Sequence, residues 1–311
     1  MEDSRYTEEW GAFWRDVARG PGAALTRRMQ KHTSSVLAVL LGVAACGPST
    51  PPGAVPEPAQ TAAATAAPTS ASTSAPAPSA TIEIPAAVRA AVDAADRSPD
   101  DRALDGGRHP AELLAFFGVA PGQKVAELGA GGGYTTELLA RVVGPTGKVW
   151  GQNTKFILEK FAEKPWSARL EKPALKGVVV RADREFDDPL PPEATNLDGV
   201  YMVLIYHDTV WWKADRAKML ASVFKALKSG GTFGVVDHSG RPGTGTTETE
   251  TLHRIEEKAV RDEVEKAGFK LAAEASFLRN PDDKRDWNDS PRVAAERRGT
   301  SDRFVLKFVK P

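Results

Sequence analysis

The stretch Val125–Ala140, VAELGAGGGYTTELLA, constrains this chain more than any other. Val125-Ala126-Glu127-Leu128 is a short apolar run that suits a buried strand. Gly129-Ala130-Gly131-Gly132-Gly133 follows, and neither a helix nor a strand interior accommodates such a run cheaply. Tyr134-Thr135-Thr136-Glu137-Leu138-Leu139-Ala140 then has apolar residues at helical spacing. Strand, glycine turn and helix together make a nucleotide-binding βα unit. The glycines let the backbone turn sharply beside a ligand, and the helix start offers unpaired N–H groups.

The spacing decides between ligand types. A dinucleotide fingerprint needs G-x-G-x-x-G, and its third glycine position holds Tyr134. Acidic-x-G-x-G-x-G fits instead, with Glu127, Gly129, Gly131 and Gly133. In this the chain resembles the class I S-adenosylmethionine (SAM)-dependent methyltransferases. The resemblance implies that the loop wraps the methionine part of SAM, with Glu127 close by and Tyr134 directly after it. It spans Thr81 to Pro311. LKSGGTFGVVDHSGRPGTG and LHRIEEKAVRDEVEKAGF also resemble a subgroup of bacterial methyltransferases with no assigned substrate.

The region before this domain reads differently. Residues 1–28 are polar and resemble no domain; they are either an extension preceding a true start at Met29 or a long n-region of a signal. Basic Arg27, Arg28 and Lys31 precede the apolar Ser35–Val43, then Ala44-Ala45-Cys46. That is the order of a secretory signal, and Val43-Ala44-Ala45-Cys46 resembles the bacterial lipobox. Residues 29–46 are therefore expected to be a lipoprotein signal, with Cys46 lipidated and anchoring the exported protein to a membrane. Residues 47–80, almost wholly Ala, Pro, Ser, Thr and Gly, cannot offset the entropy of ordering and form a tether. The domain occupies residues 81–311.

Within it, apolar strands alternate with helices. The expected strands are Val125–Leu128, Lys148–Gln152, Gly177–Asp183, Asp198–Ile205 and Thr232–Val236, with a final pair at Lys270–Phe277 and Arg303–Val309. Strands apolar along their length, separated by helices, give a parallel sheet covered on both faces. The expected fold is α/β: a Rossmann-like, doubly wound, mostly parallel sheet of seven strands, closed by an antiparallel hairpin.

The resemblance implies further site residues. An acid usually ends the second strand and holds the SAM ribose. Here Asn153 stands there, so that an aspartate is expected to tighten SAM binding. Asp183, ending the third strand, matches an acid that touches the adenine amino group. His207, after the fourth strand, matches a position that contacts the methyl acceptor, with Asp208 as its orienting partner and His238, after the fifth strand, as a second base. Trp211-Trp212 and the Arg241–Thr246 loop are candidates to cover the acceptor.

Composition bounds the partners. The 41 basic and 41 acidic residues cancel, so no global field points to nucleic acid. One cysteine excludes disulfides within the chain and thiolate metal clusters. His109, His207, His238 and His253 show no metal-ligand spacing, and no metal is expected from them. The expected function is methyl transfer from SAM to a small-molecule acceptor. The alternative is a lipoprotein of the same fold that binds SAM or a nucleoside without turnover.

Overall fold

The computed structural model describes residues 82–311; the signal, Cys46 and the tether lie outside them. Five parallel strands form one side of the sheet: β1 (Lys124–Leu128), β2 (Lys148–Asn153), β3 (Val179–Asp183), β4 (Leu197–Val203) and β5 (Leu227–His238). β6 (Lys270–Ala275) and β7 (Arg303–Val309) complete it, β7 lying antiparallel between β5 and β6. The spatial order is β3-β2-β1-β4-β5-β7-β6. Seven strands, mostly parallel with a reversed final pair, are what the sequence implied. The strand order reverses between β1 and β4, and ligands of such sheets bind beyond the carboxyl ends of the strands at that point.

Alternation along the strands separates two apolar layers. Ala126, Trp150, Val200, Met202, Val235 and Leu306 face one cluster, while Val125, Val149, Tyr201, Val236 and Val305 face the other. Helices α1 (Ala86–Asp93), α3 (Pro110–Phe117) and α4 (Tyr134–Val143) cover the second. Phe117 stacks on Tyr201 there, with centroids 5.1 Å apart. On the opposite face, α5 (Lys155–Ile157) runs through a π-helical turn (Leu158–Ala162) into α6 (Glu163–Leu170). α7 (Tyr206–Trp211), α8 (Arg216–Ala226), α9 (Thr249–Leu252) and α10 (Glu257–Lys266) follow, of which α8 and α10 feed the same cluster.

Three boundaries depend on tertiary contacts and local turns. Arg97–Arg108 holds a helix, α2 (Pro99–Arg108), that contains Gly106 and Gly107. Ser98 caps it by accepting from Asp101 N at 3.1 Å, and Pro99 starts it with a preset φ. Gly107 is needed for closeness: a Cβ there would lie 3.1 Å from Gly299 Cα. Second, the helix before β5 ends at Ala226, and Gly230-Gly231 lie inside the long strand. Third, the chain after β4 coils at once into α7, which the apolar run DGVYMVLI had concealed.

Candidate active site

The three glycines of the loop serve different purposes. All have positive φ: 69° at Gly129, 56° at Gly131 and 83° at Gly133. A Cβ at Gly129 would meet Ile205 Cγ1 at 2.5 Å, and one at Gly133 would meet the Trp166 ring at 2.5 Å. Those two positions are filled by the protein itself. Around a Cβ at Gly131 there is nothing within 4 Å. Gly131 is thus the point where the loop backbone faces open space.

Side chains from the end of β2 hold this loop. Gly129 N donates to Gln152 Oε1 at 2.9 Å. Gly131 N donates to Asn153 Oδ1 at 2.7 Å, and Asn153 Nδ2 donates back to Gly131 O at 3.0 Å. Asn153 does point at the glycine loop, as expected. Each end of its amide makes one bond to the loop backbone and keeps one lone pair or N–H, so Asn153 positions the loop. An aspartate here would lose the donor and set a carboxylate against a carbonyl.

Glu127 is buried beneath the loop and accepts from the Thr136 hydroxyl. Burial pushes its carboxyl up to about 7, against the opposing hydrogen bonds of Thr136 and Thr135 and the charge of Arg108. Tyr134 Oη donates a hydrogen bond to Asp105 Oδ1 at 2.6 Å, and its ring lies 4.4 Å from the Arg108 guanidinium carbon. Arg108, at the end of α2, was not singled out from the sequence. It has no carboxylate hydrogen-bonded to it among the described residues. Asp183 ends β3 beside Asn153 in register, half-exposed and paired with Arg181 at 2.8 Å.

A second group assembles beyond β4 and β5. Asp237, fully buried at the end of β5, takes His207 Nδ1 at 2.7 Å on one carboxylate oxygen and His207 N at 2.7 Å on the other. His207 Nε2 lies 3.2 Å from Asp208 Oδ1 and 3.2 Å from His253 Nδ1. Trp211 Nε1 donates to Asp208 Oδ1 at 2.7 Å. Burial disfavours charge on His207, but the Asp208 and Asp237 carboxylates outweigh it and hold the imidazole well above its ordinary pKa. Burial and the charge on His207 bring His253 down to about 4.

Of the acceptor-side residues expected from the sequence, His207 and Asp208 meet in this cluster. The ring of His238 packs edge-on to that of His207, centroids 5.6 Å apart, and its Nδ1 lies 2.9 Å from Ser301 Oγ and against the Asp289 carboxylate. Its Nδ1 contacts dock the segment before β7. Trp212 packs inward on Phe186, while Trp211 reaches Asp208 and His253. His253, 46 residues after His207 with no periodic relation to it, carried no local signal in the sequence.

Residues 108–182 match the family model of the protein-L-isoaspartate(D-aspartate) O-methyltransferases, a span from the end of α2 to β3 that includes the glycine loop. Among solved structures, a protein of Galdieria sulphuraria assigned as a sarcosine dimethylglycine methyltransferase is similar at 16% identity. The likeness covers 70% of this chain and 89% of that one, with a TM-score of 0.50. A SAM-dependent methyltransferase from Aquifex aeolicus is 17% identical over 71% of this chain and 97% of its own, with a TM-score of 0.48.

Two outcomes follow from the loop. Asn153→Asp is expected to lower stability by about 1–3 kcal/mol, the range for a buried polar group left unmatched, in urea unfolding at neutral pH; an unchanged midpoint would contradict the two-point hold on Gly131. Glu127 binds its proton more tightly folded than unfolded, so the penalty of its charge is absent below about 4.5 and complete above about 7. Wild type should therefore lose stability relative to Glu127→Gln as pH rises through that window, measured by unfolding in matched buffers. A gap that stays constant with pH would rule this out. The likeness to the Galdieria sulphuraria protein is one of fold.

Proposed function

We propose that this chain is a SAM-dependent methyltransferase acting on a small-molecule acceptor. The observation that carries the reading is Gly131: left-handed, held from β2 by Asn153, and open on the side where its two companion glycines are packed. That is a cradle a side chain would fill, at the switch point of the sheet. Arg108 and Glu127, which is ionised above about 7, border it and suit the carboxylate and cationic ends of a methionine moiety. Bound SAM would supply an electrophilic methyl group, which passes to an acceptor lone pair as the carbon–sulfur bond breaks.

His207, Asp208 and His253 form the acceptor side. The Asp237 carboxylate fixes the His207 ring and leaves Nε2 directed at the cluster. Such groups hold a hydroxyl or amine nucleophile and receive the proton it gives up. His207 and Asp208 lie in the first turn of α7, where Asp237 of β5 holds His207 at two points, and rigid alignment of nucleophile and methyl is the main contribution of an enzyme to this reaction.

The test is calorimetry of the full-length chain with SAM and its demethylated product. Gly131→Val should abolish measurable binding while the domain stays folded, with a stability loss of about 1–2 kcal/mol from the left-handed backbone. Unchanged affinity in a folded variant would refute the reading. Turnover with labelled SAM across candidate hydroxyl and amine acceptors then separates an enzyme from a binding protein.

The same proposal extends to location. Basic residues, the short apolar run and Ala44-Ala45-Cys46 support export and a lipid anchor at Cys46. Cys46→Ser should leave the precursor uncut or free the protein from the membrane fraction; normal processing and full retention would count against lipidation. One acyl chain binds a bilayer only marginally, so stable retention implies more than one.

A further inference from the structure

The acceptor-side cluster has a geometry that hydrogen bonding alone does not explain. His207 Nε2, Asp208 Oδ1 and His253 Nδ1 form a small triangle, with edges of 3.2, 3.2 and 3.6 Å. Asp237 can only accept, so the proton on the Nδ1 side of His207 is committed to it and Nε2 faces the triangle. Two ring nitrogens and a carboxylate oxygen thus converge on one point. A point about 2 Å from all three atoms lies roughly 0.5 Å off their plane, close to the position of an ion capped by three ligands of a tetrahedron.

The surroundings match what holds metal ligands in place. Asp237 lies behind His207 as the carboxylate partner that orients a ligating imidazole, and Trp211 Nε1 fixes the Asp208 carboxylate at 2.7 Å. His253 has φ 51°, a left-handed conformation that a non-glycine residue adopts at a cost. Its chain neighbours are pinned. Arg254, fully buried, donates to Asp283 Oδ2 at 2.9 Å and Ser239 O at 3.2 Å, and Ile255 N donates to His238 O at 3.0 Å. The strained backbone is held so that the His253 ring enters the cluster.

We propose that His207, Asp208 and His253 are the protein ligands of one divalent first-row transition-metal ion. Two imidazoles and one carboxylate suit Zn2+ and its neighbours rather than Mg2+ or Ca2+, which prefer all-oxygen shells. Three protein ligands leave at least one coordination position for an oxygen donor; with the ion bound, that position and not the Nε2 lone pair would hold the acceptor oxygen. The site stands whether or not the chain transfers methyl groups, because it is measured without SAM.

The experiment uses the full-length chain, free of any histidine tag and stripped with a chelator. One equivalent of Co2+ should give a d–d absorption band of tetrahedral or five-coordinate intensity, displaced by one equivalent of Zn2+. Zn2+ calorimetry should give one site per chain. Asp208→Asn and His253→Gln should each weaken Zn2+ at least ten-fold, and His109→Gln should leave it unchanged. Circular dichroism checks that the variants are folded; the wild-type Co2+ spectrum decides independently of them. Lack of a Co2+ band in the wild type, or undiminished Zn2+ binding in both folded variants, would overturn the proposal. A thiolate-to-cobalt charge-transfer band would place the ion on Cys46 and overturn it as well.

Discussion

The exchange of hydrogen bonds between Asn153 and Gly131 is the contact on which the candidate site depends. Three left-handed residues in five form a loop with little intrinsic preference for one shape. Only Ala130 of the loop pairs with the backbone of β2, donating to Gln152 O at 2.8 Å, so Gly129 and Gly131 need side-chain partners. β2 supplies them from consecutive residues: Gln152 takes Gly129 N and Asn153 takes Gly131 on both sides. A side-chain amide suits this work because it donates and accepts in one plane, and a carboxylate does not. The departure from the family pattern at Asn153 thus has a structural reason.

The same loop is fastened from its outer side by a buried ionic network. Arg169 of α6 donates to Gly132 O at 2.5 Å and to Asp101 of α2 at 2.6 and 2.9 Å, and also meets Glu137 of α4. Glu137, almost wholly buried, is further paired with Lys172 at 2.7 Å and Arg141 at 2.8 Å. Three cations outweigh burial and keep its carboxyl below the ordinary value. Desolvating such a group costs several kcal/mol, so the network adds little net stability. What it does is fix direction: α2, α4 and α6 are locked at the positions that bring Tyr134 and Arg108 to the edge of the loop.

The fold was legible where a periodic signal and burial agree. Each central strand is apolar along its length because both faces are covered, and Gly129–Gly133 marks the first turn without ambiguity. Legibility failed where tertiary contacts override local preference. Gly230-Gly231 looks like a helix stop, yet pairing with Lys310 draws the pair into β5. Asn153 was placed correctly at the end of β2, but sequence cannot show that its amide bonds the loop backbone on both sides. His253 was invisible as a site residue, because its approach to His207 depends on a left-handed turn and on Arg254 burying itself under Trp287 and Ser239.

The two halves of the site differ in how they are built, and the difference bears on what each can do. The glycine half is backbone held by side chains, open at one point and bordered by Glu127 and Arg108. It can envelop a ligand, but it offers no group that would activate an acceptor. The histidine half is side chains held by backbone: His207 N and His238 N both bind Asp237, and Leu204, itself at φ 58°, turns the chain from β4 towards it while donating its N–H to Val236 O. Strain at Leu204 and at His253, on opposite sides of the cluster, is tolerated because β4 and β5 are central strands with no freedom to relax it. A group-transfer site needs one partner enclosed and the other aimed. The sheet meets both needs by placing the loop after β1 next to the strand ends of β4 and β5, where the strand order reverses.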